Sequence, residues 1–450
     1  MSQQQRPAGM RAFWIILAGQ VISMLGTSMT NFGLQIWAYE KTGQATSLAL
    51  IGFFFVTPIV ILSPTAGAIV DRSNRKLMMM LSDLAAGLTT IVQLVLLATG
   101  NLEIWHLYVT AAVAGTFQTF QWPAFSAAIT LMVPKEQYGR VSAMRDLADA
   151  ASGIFAPMLA AALLSIIGLV GIMTIDFISF AFAIGALLFV FIPQPERSGA
   201  GQAAKASLWK ESLYGFRHIL QRPSLLGLQL VFMVGNLFSG LGFTLMTPMI
   251  LARTGNNELI LGGVNSAGAI GGVVGGLAMS AWGGPKRRVL GVIGGWLLFG
   301  LLGESLLGLG QAIPVWLVAS FAAAFFGPVI NASNQAIWQA KVEPDVQGRV
   351  FGARRMIAWA ISPLARLIAG PLADKVFEPA MQQGGGLAGT FGWMVGTGDG
   401  AGMALILVLC GIGIALVAIV GYIVRVVRNA EDILPDYDAI PEEAAVPAAT

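Results

Sequence analysis

Residues 67–76 read Gly-Ala-Ile-Val-Asp-Arg-Ser-Asn-Arg-Lys, and this stretch decides the fold. It joins two apolar runs, 45–70 and 77–99, each long enough to cross a bilayer as a helix. Three of its last five residues are basic, which is typical of a loop on the cytoplasmic side. Gly67 allows close helix packing, and the Asp71 carboxylate can face the amino end of another helix. The stretch therefore predicts a basic turn between two membrane helices.

The composition of the whole chain agrees with a membrane protein. Of 450 residues, 56% are hydrophobic and 11% charged, whereas a soluble domain carries about 25% charged residues. The net charge of +3 is too small to suggest a nucleic-acid partner. One cysteine and two histidines exclude a disulfide framework and make a metal site implausible. We predict an all-α integral membrane protein that needs no metal or cofactor.

Apolar runs long enough to span a bilayer recur along the chain. They lie at 13–37, 45–70, 77–99, 104–132, 140–168, 170–192, 224–250, 258–282, 288–310, 314–338, 350–374 and 401–427. The predicted organisation is an amino-terminal six-helix bundle (1–192), a linker (193–223), a carboxy-terminal six-helix bundle (224–429) and a disordered acidic tail (430–450). Within the linker we expect an interfacial amphipathic helix over Leu208–Leu220.

The basic residues predict the orientation of the chain. With the amino terminus inside, 19 of the 26 Lys and Arg residues lie in cytoplasmic segments, and cytoplasmic loops are enriched in these residues. Both termini of a multi-pass protein of the cell membrane are therefore expected in the cytoplasm.

A repeat relates the two halves. Gln20 corresponds to Gln229, Gly67 to Gly276 and Gly139-Arg140-Val141 to Gly348-Arg349-Val350, all at an offset of 209 residues. A single offset at separated places indicates an internal repeat. Because each half has six spans, the repeat is parallel, and a ligand site is expected between the halves near the midplane.

The 67–76 stretch resembles the loop motif of the major facilitator superfamily, Gly-x-x-x-Asp-Arg-x-x-Arg-Lys. The resemblance implies a twelve-helix fold with alternating access, in which Asp71 contacts the start of helix eleven when the inner side is closed. Arg354 and Arg355 are expected to face Asp71 and Asp146. The predicted gate comprises Gly67, Asp71, Arg72, Arg75, Arg349, Arg354 and Arg355.

Shorter matches along the chain are similar to the drug:proton antiporter branch that includes macrolide and siderophore exporters. They are Ala18-Gly19-Gln20, Glu40-Lys41-Thr42-Gly43, Val133-Pro134-x-Glu136-Gln137, Gly348-Arg349-Val350-Phe351 and Ala369-Gly370-Pro371-Leu372-Ala373-Asp374. The segment 153–161 resembles the Gly-Pro-x-x-Gly-Gly element of antiporters, with alanines in place of glycines. Pro157 is expected to bend its helix; the alternative is an ordinary proline kink among small residues.

Ionisable residues inside spans are costly and are therefore candidate coupling sites. The proton-coupling candidates are Asp149, Glu304, Asp146 and Asp176. Structural pairing of Asp149 with Arg145 is an alternative, as is a wet position for Glu304 at the outer mouth. Arg366 is a possible partner for Glu304 or Asp176. Asp83 is expected to pair with the basic loop at Arg72, Arg75 or Lys76.

Polar residues recur at helical spacing in spans one and seven, and the resemblance implies that helices one, four, seven and ten line a cavity. The predicted lining is Gln20, Thr27, Asn31, Trp122, Phe125, Gln229, Asn236, Asn331, Asn334 and Gln335. The alternative is interhelical hydrogen bonding by each residue. As a set they favour a wide, weakly charged pocket for a bulky lipophilic solute.

The sequence therefore predicts a monomeric secondary transporter that exports an amphipathic or lipophilic small molecule in exchange for protons. Alternatives are a dedicated siderophore or lysolipid carrier of the same fold, and a non-transporting receptor. The chain has no His-Glu-x-x-His or Gly-x-Ser-x-Gly motif and no phosphate-binding Gly-x-x-x-x-Gly-Lys-Ser/Thr loop. An enzyme and an ATP-driven pump are accordingly disfavoured.

Overall fold

The structure is a computed structural model that describes residues 9–133, 138–190, 208–343 and 346–436. For some residues inside its helices, among them Gly67, Asp71, Trp122 and Asp146, only the backbone is described. These parts of the chain are almost entirely helical, which agrees with the predicted fold class.

The principal helices follow the predicted apolar runs. They are α1 (Gly9–Thr42), α2 (Ala45–Arg72), α3 (Arg75–Ala98), α4 (Ile104–Met132), α5 (Tyr138–Phe189), α6 (Leu208–Leu220), α7 (Pro223–Thr254), α8 (Glu258–Trp282), α9 (Arg288–Leu298), α10 (Ile313–Lys341), α11 (Gln347–Ala360), α12 (Ser362–Leu372), α13 (Ala388–Val395) and α14 (Ala401–Ile423). Two π-helical segments, Phe299–Ser305 and Ala373–Phe377, continue α9 and α12.

Helix occupies each of the predicted spans. The fifth and sixth spans form the single element α5, which is interrupted at Gly168 by a backbone φ of 66° and ψ of 178°. Glycine adopts this conformation without the steric cost of a Cβ. Ten helices in the described residues are long and apolar enough to cross a membrane. Large apolar side chains such as Ile166 (75% exposed) and Leu277 (66%) project from them, as lipid-facing residues do.

Small residues bring the helices together. A Cβ at Gly115 of α4 would overlap the carbonyl oxygen of Phe55 in α2. Glycine at such crossings lets two backbones touch, so van der Waals contact stabilises helix pairs that gain no hydrophobic free energy in lipid.

The contacts divide the chain into two compact units. The first comprises Met1–Arg197, Phe243–Ile270 and Arg366–Ala404, and the second comprises Ser198–Gly242, Gly271–Ala365 and Leu405–Thr450. In the first unit, Phe13, Ile16 and Met79 are buried in one core cluster. In the second, Trp296 and Trp338 belong to a separate cluster. The predicted division into six-helix bundles at 192 and 224 stays a prediction.

Helix α6 has the bounds predicted for the linker helix, and its Ile219 is buried. The tail departs from the prediction at its start. Residues Ala430–Ile433 form a short helix rather than a disordered segment. Their side chains dock on the basic turn before α9: Asp432 pairs with Arg287 at 2.6 Å, and Glu431 accepts from the backbone N–H of Val289 at 2.8 Å. These contacts hold the beginning of the tail against α9 and the turn before it.

Candidate transport site

A half-buried polar network joins α1, α3 and α4. The Nε2 atoms of Gln20 and Gln121 each donate to a carboxylate oxygen of Asp83 at 2.9 Å. Gln121 Nε2 also lies 3.2 Å from Gln20 Oε1. The expected pairing of Asp83 with the basic loop is wrong: Lys76 donates instead to the carbonyl of Val190 at 2.6 Å. The helix carries Asp83 away from the turn and towards the interior of the first unit.

A small cavity of about 30 Å³ lies beside this network. Its walls are Leu17, Gln20, Met24, Gln121, Phe125 and Ala148. The structure thus brings together Gln20 and Phe125, two residues of the predicted lining. The sequence analysis missed Gln121 as a residue of the cavity wall and Asp83 as a residue of the neighbouring network. The side chain of Trp122 lies outside the described residues.

Asp176 is buried in the same unit, at 1% exposure. Thr27 and Thr90 donate their hydroxyl hydrogens to its two carboxylate oxygens at 3.1 and 3.2 Å. Thr27 therefore serves as an interhelical hydrogen-bond donor, which was the alternative to its predicted place in the cavity. A Cβ at Gly26 would lie only 3.0 Å from Asp176 Oδ1, so the glycine makes room for this carboxylate.

Glu304 lies in the second unit, within the π-helical segment Phe299–Ser305. It is 6% exposed, and its Oε2 atom is buried without a hydrogen-bond partner. A wet position at the mouth is therefore wrong. The carboxylate packs against Gly242 of α7, where an added Cβ would overlap it. π-helical turns are rare and occur often at functional sites.

The other proton-coupling candidates differ from these two. Asp149 is exposed at the protein surface instead of buried among side chains. The side chains of Arg145 and Asp146 lie outside the described residues. One turn further along α5, Ser152 donates to the hydroxyl of Ser28 at 3.2 Å.

The polar residues predicted for the second half bond mainly to neighbouring helices. Gln229 Nε2 donates to the carbonyl of Arg354 at 3.0 Å, and Asn236 Nδ2 to that of Ala358 at 3.3 Å. Asn334 Oδ1 accepts from Trp338 Nε1 at 3.0 Å. Asn31 and Asn331 are exposed on the protein surface. Interhelical bonding, the alternative to a cavity lining, describes Gln229 and Asn236 in this structure, whereas the bond of Asn334 lies within α10.

Arg354 is held within the second unit. It donates to Gln335 Oε1 at 2.9 Å and stands over the rings of Trp338 and Phe351, 5.3 and 5.5 Å from their centroids. Arg355 is exposed. Arg75 begins α3 directly after the loop. The side chains of the other predicted gate residues, Gly67, Asp71, Arg72 and Arg349, lie outside the described residues.

The carboxylate of Asp374 caps and thereby clamps the amino-terminal end of α2, the end opposite Asp71. Asp374, in the π-helical segment after α12, accepts from the backbone N–H groups of Ala45 and Thr46 at 3.0 and 2.8 Å. These are the first residues of α2, whose N–H groups have no partner within the helix. The residue before the helix, Gln44, provides no side-chain cap. A residue from the other half of the sequence therefore caps this helix and also meets its positive dipole end.

Two further residues on the same face of α12 continue the clamp. A Cβ at Gly370 would overlap the backbone of Thr46, so glycine permits the contact. Arg366 packs against Gly52, one further step along α2, and its guanidinium lies 5.8 Å from the ring centroid of Phe243. Arg366, Gly370 and Asp374 are spaced by four, as residues on one helix face are. Arg366 therefore contacts α2 and α7. Asp176, one of its two expected partners, accepts hydrogen bonds from Thr27 and Thr90 instead.

Helix α5 contacts α8 near Pro157. Ser266 Oγ donates to the carbonyl of Ile154 at 2.6 Å, about one turn before the proline. A Cβ at Gly262 would lie 2.9 Å from the Pro157 carbonyl oxygen. The described departure from helical backbone in α5 is at Gly168, and Pro157 lies within the helix.

Glu378, directly after the π-helical segment Ala373–Phe377, holds the following loop. Glu378 accepts from the backbone N–H groups of Gly400 and Met403 at 3.1 and 2.8 Å. Arg253 of α7 donates to the carbonyl of Val395. The carboxy-terminal part of the glycine-rich segment is therefore held to Glu378 and to α7 of the same unit.

Apolar helices long enough to span a bilayer, with the buried carboxylates of Asp176 and Glu304 among them, are typical of α-helical membrane transporters. Residues 16–365 match the family model of the Major Facilitator Superfamily, and the chain belongs to this family. It is a secondary transporter and not an enzyme. The family resemblance of the 67–76 stretch is thereby confirmed.

Several known proteins are similar to the chain. Macrolide efflux protein A of Streptococcus pyogenes is 24% identical over 372 residues, which cover 81% of this chain and 90% of that protein. The multidrug efflux pump Tap of Mycolicibacterium fortuitum is 25% identical over 372 residues, covering 80% and 88%. A bacterial homologue of the human lysosomal transporter Spinster, solved inward-facing and unoccupied, superimposes with a TM-score of 0.64 at 14% identity, over 91% of this chain and 96% of that one. At 14% identity, the similarity to the Spinster homologue shows a shared fold alone.

Proposed function

We propose that the chain exports an amphipathic or lipophilic small molecule in exchange for protons. Efflux is supported by the relatives, which include macrolide and multidrug exporters. Proton exchange rests on Glu304, which is 6% exposed and has an unpartnered Oε2 atom. An ionised carboxylate in such surroundings is costly, so the buried side chain is stable when it carries a proton. Releasing that proton requires water to reach the site.

In an alternating-access cycle, water would reach Glu304 during part of the cycle. The clamp of Asp374 on Ala45 and Thr46 holds one end of α2 closed, and it must open for a substrate to pass there. The 67–76 motif, through Asp71, is proposed to close the other end, near the start of α11. Opening of one end and closure of the other would expose a central site to each side in turn.

The substrate class follows from the cavity beside Gln20 and Gln121. Its apolar walls, Leu17, Met24 and Phe125, and its two amides suit one end of an amphipathic solute, because about 30 Å³ holds a small group and not a whole drug molecule. A dedicated siderophore or lysolipid carrier would share this fold but accept one compound. Transport assays with lipophilic drugs, lysolipids and siderophores in parallel distinguish the two, since a multidrug exporter moves several unrelated compounds.

The direct test is dye export from proteoliposomes under an imposed pH gradient. We expect wild-type transport to follow the gradient, and Glu304→Gln to bind dye but lose the dependence on pH. Glu343→Gln is the matched control because Glu343 is exposed. Transport that ignores the gradient in the wild type would reject proton exchange, and no transport of any lipophilic compound would reject the exporter.

We also propose that both termini lie in the cytoplasm of a cell whose plasma or inner membrane holds the protein, and that the protein is a monomer. The distribution of basic residues supports this orientation. The chain has one cysteine, the buried Cys410, so cysteines introduced after Cys410→Ser can be labelled individually. A tail cysteine that reacts with an impermeant reagent from outside intact cells would reverse the orientation, and the mass of the purified protein in detergent tests the monomer.

A further inference from the structure

A cavity of about 210 Å³ lies in the second unit, where α9 begins at Arg288 and α10 ends at Lys341. Its polar wall consists of the basic side chains of Lys286, Arg288 and Lys341 and the acidic side chains of Glu431 and Asp436. One water occupies roughly 10–15 Å³ of such space. The cavity therefore has room for a phosphate group together with several waters.

The two carboxylates of this wall already have partners. Glu431 accepts from the backbone N–H of Val289 at 2.8 Å, and Asp436 lies 2.7 Å from Lys341 Nζ. The side chain of Lys341 is 5% exposed, and its Nζ atom also donates to the backbone carbonyls of Glu431 and Leu434. These contacts use the three donors of the ammonium group and hold residues 431–436 of the tail along the cavity.

The other two basic side chains remain available to a ligand. Lys286 has no hydrogen bond or ion pair among the described residues, and Arg288 donates to the backbone carbonyl of Ala336 at 3.1 Å. Both residues are exposed, so a ligand from outside reaches them without a rearrangement of the protein. Ammonium and guanidinium groups form charge-assisted hydrogen bonds with phosphate oxygens. The pair therefore favours a phosphate group.

The position of the cavity suits a lipid head group. The turn that carries Lys286 follows Trp282, which is the last residue of α8 and is 63% exposed. Exposed tryptophan at the end of a spanning helix is typical of the boundary between membrane and water, and basic residues at that level attract anionic lipids. The membrane itself thus offers phosphate groups to this site.

We propose that Lys286 and Arg288 bind the phosphate group of an anionic head group, and that the tail carboxylates of Glu431 and Asp436 compete with it. A phosphate group in the cavity repels both carboxylates because like charges repel at short range. Departure of Asp436 would leave Lys341 as a third cation for the phosphate group. This inference goes beyond the proposed export function and does not depend on it.

The test measures binding to the purified full-length protein in a nonionic detergent by native mass spectrometry. Phosphatidylglycerol serves as the lipid probe and glycerol 3-phosphate as the soluble one. We expect Lys286→Gln to weaken probe binding about fivefold, since one basic residue near a head group contributes on that order. Arg425→Gln is the matched control because Arg425 is exposed directly after α14 but lies outside the cavity wall. It should change binding by less than about twofold.

Asp436→Asn tests the competition with the tail. We expect it to strengthen probe binding about fivefold, because one repelling charge is lost and Lys341 loses its carboxylate partner. Damage to the fold would weaken binding, so an increase cannot come from unfolding. Asp399→Asn is the control, since Asp399 is an exposed carboxylate of the first unit, and it should leave binding unchanged.

The two probes distinguish the source of the phosphate group. These changes with phosphatidylglycerol alone support a lipid site, and the same changes with glycerol 3-phosphate alone support a site for soluble phosphate esters. Equal binding by Lys286→Gln and wild type for both probes would overturn the site. An equal loss in Arg425→Gln would also overturn it, because binding would then follow total charge. Unchanged binding in Asp436→Asn would overturn the competition. No transport is measured, so failure of the export proposal would leave these results unaffected.

Discussion

The carboxylates of Asp83, Asp176 and Glu304 are satisfied to very different degrees; Asp176 and Glu304 are buried, and Asp83 is half-buried. Asp83 accepts from two amides, and Asp176 from two hydroxyl groups. Glu304 faces Gly242, which offers no polar side chain, and its Oε2 atom has no hydrogen-bond partner. The least satisfied carboxylate gains most from carrying a proton, so Glu304 is the strongest candidate for coupling.

Glu304 can be found from the sequence because it is an ionisable residue inside an apolar span, whereas the partners of Asp83 cannot. Asp83 lies seven residues after the basic Lys76, so local proximity suggested an ion pair. Only the packing of α1 and α4 against α3 brings Gln20 and Gln121 to it. Distances along the sequence cannot reveal a partner contributed by another helix.

At the residue scale, we expect Gly242→Ala to destabilise the protein. The new methyl group would overlap the Glu304 carboxylate, and overpacking of this kind costs about 1–3 kcal/mol. A lower midpoint of thermal unfolding in detergent would show it. Gly276→Ala is the control, since a Cβ there meets nothing within 4 Å. The double variant Gly242→Ala, Glu304→Ala should recover most of the loss. Equal midpoints for Gly242→Ala and wild type would contradict the tight contact.

At the scale of elements, apolar length and turn residues located the helices well, and α4 has the predicted bounds, 104–132. The two π-helical segments left no pattern that a period of 3.6 could reveal, because each is shorter than two turns. In the sequence, Asp374 stands out only as the last residue of the 369–374 stretch. Its role depends on α2, which lies more than three hundred residues earlier in the chain.

The clamp at the start of α2 predicts a change of conformation in Asp374→Ala. Loss of a helix cap costs about 1 kcal/mol, enough to shift a balanced equilibrium several-fold towards opening. Spin labels at Gln44 and Gln383, both exposed, would report the opening. Fewer molecules would have a short distance between the two labels. Asp399→Ala is the control, because Asp399 is exposed and accepts only from Gln382 among its described contacts, at 3.1 Å. Identical distance distributions for Asp374→Ala and wild type would contradict a closing role.

Because of His218 in α6, we expect the stability of the folded protein to depend on pH. Burial, with a smaller contribution from the positive charge of Arg222, lowers the pKa of His218 from 6.5 to about 4. Below pH 6.5 the unfolded chain takes up this proton before the folded one, so the free energy of unfolding falls as pH drops from 6.5 towards 4. Above pH 7 this group adds no pH dependence.

Thermal unfolding measured between pH 7.5 and 4.5 checks this expectation. His218→Gln should have a shallower decline than wild type over that interval, because it cannot bind the proton. A decline of equal steepness in both proteins would show that His218 is not the group responsible.

At the scale of the whole molecule, a low charge content predicted the bilayer, and the 67–76 stretch led to the family that the chain belongs to. The same scarcity of charge limited the coupling candidates to a few carboxylates. Burial then separated them, since Glu304 and Asp176 are enclosed and Asp149 is exposed. Burial depends on tertiary packing, so helical periodicity alone could not rank them.

The central claim is that outward movement of a lipophilic substrate is coupled to inward movement of protons through Glu304. The most direct measurement is the internal pH of proteoliposomes when substrate is added with no imposed gradient. We predict a proton flux opposite to the substrate flux in the wild type, absent in Glu304→Gln and retained in Glu343→Gln. Substrate flux without proton movement, or an equal proton flux in Glu304→Gln, would contradict the account.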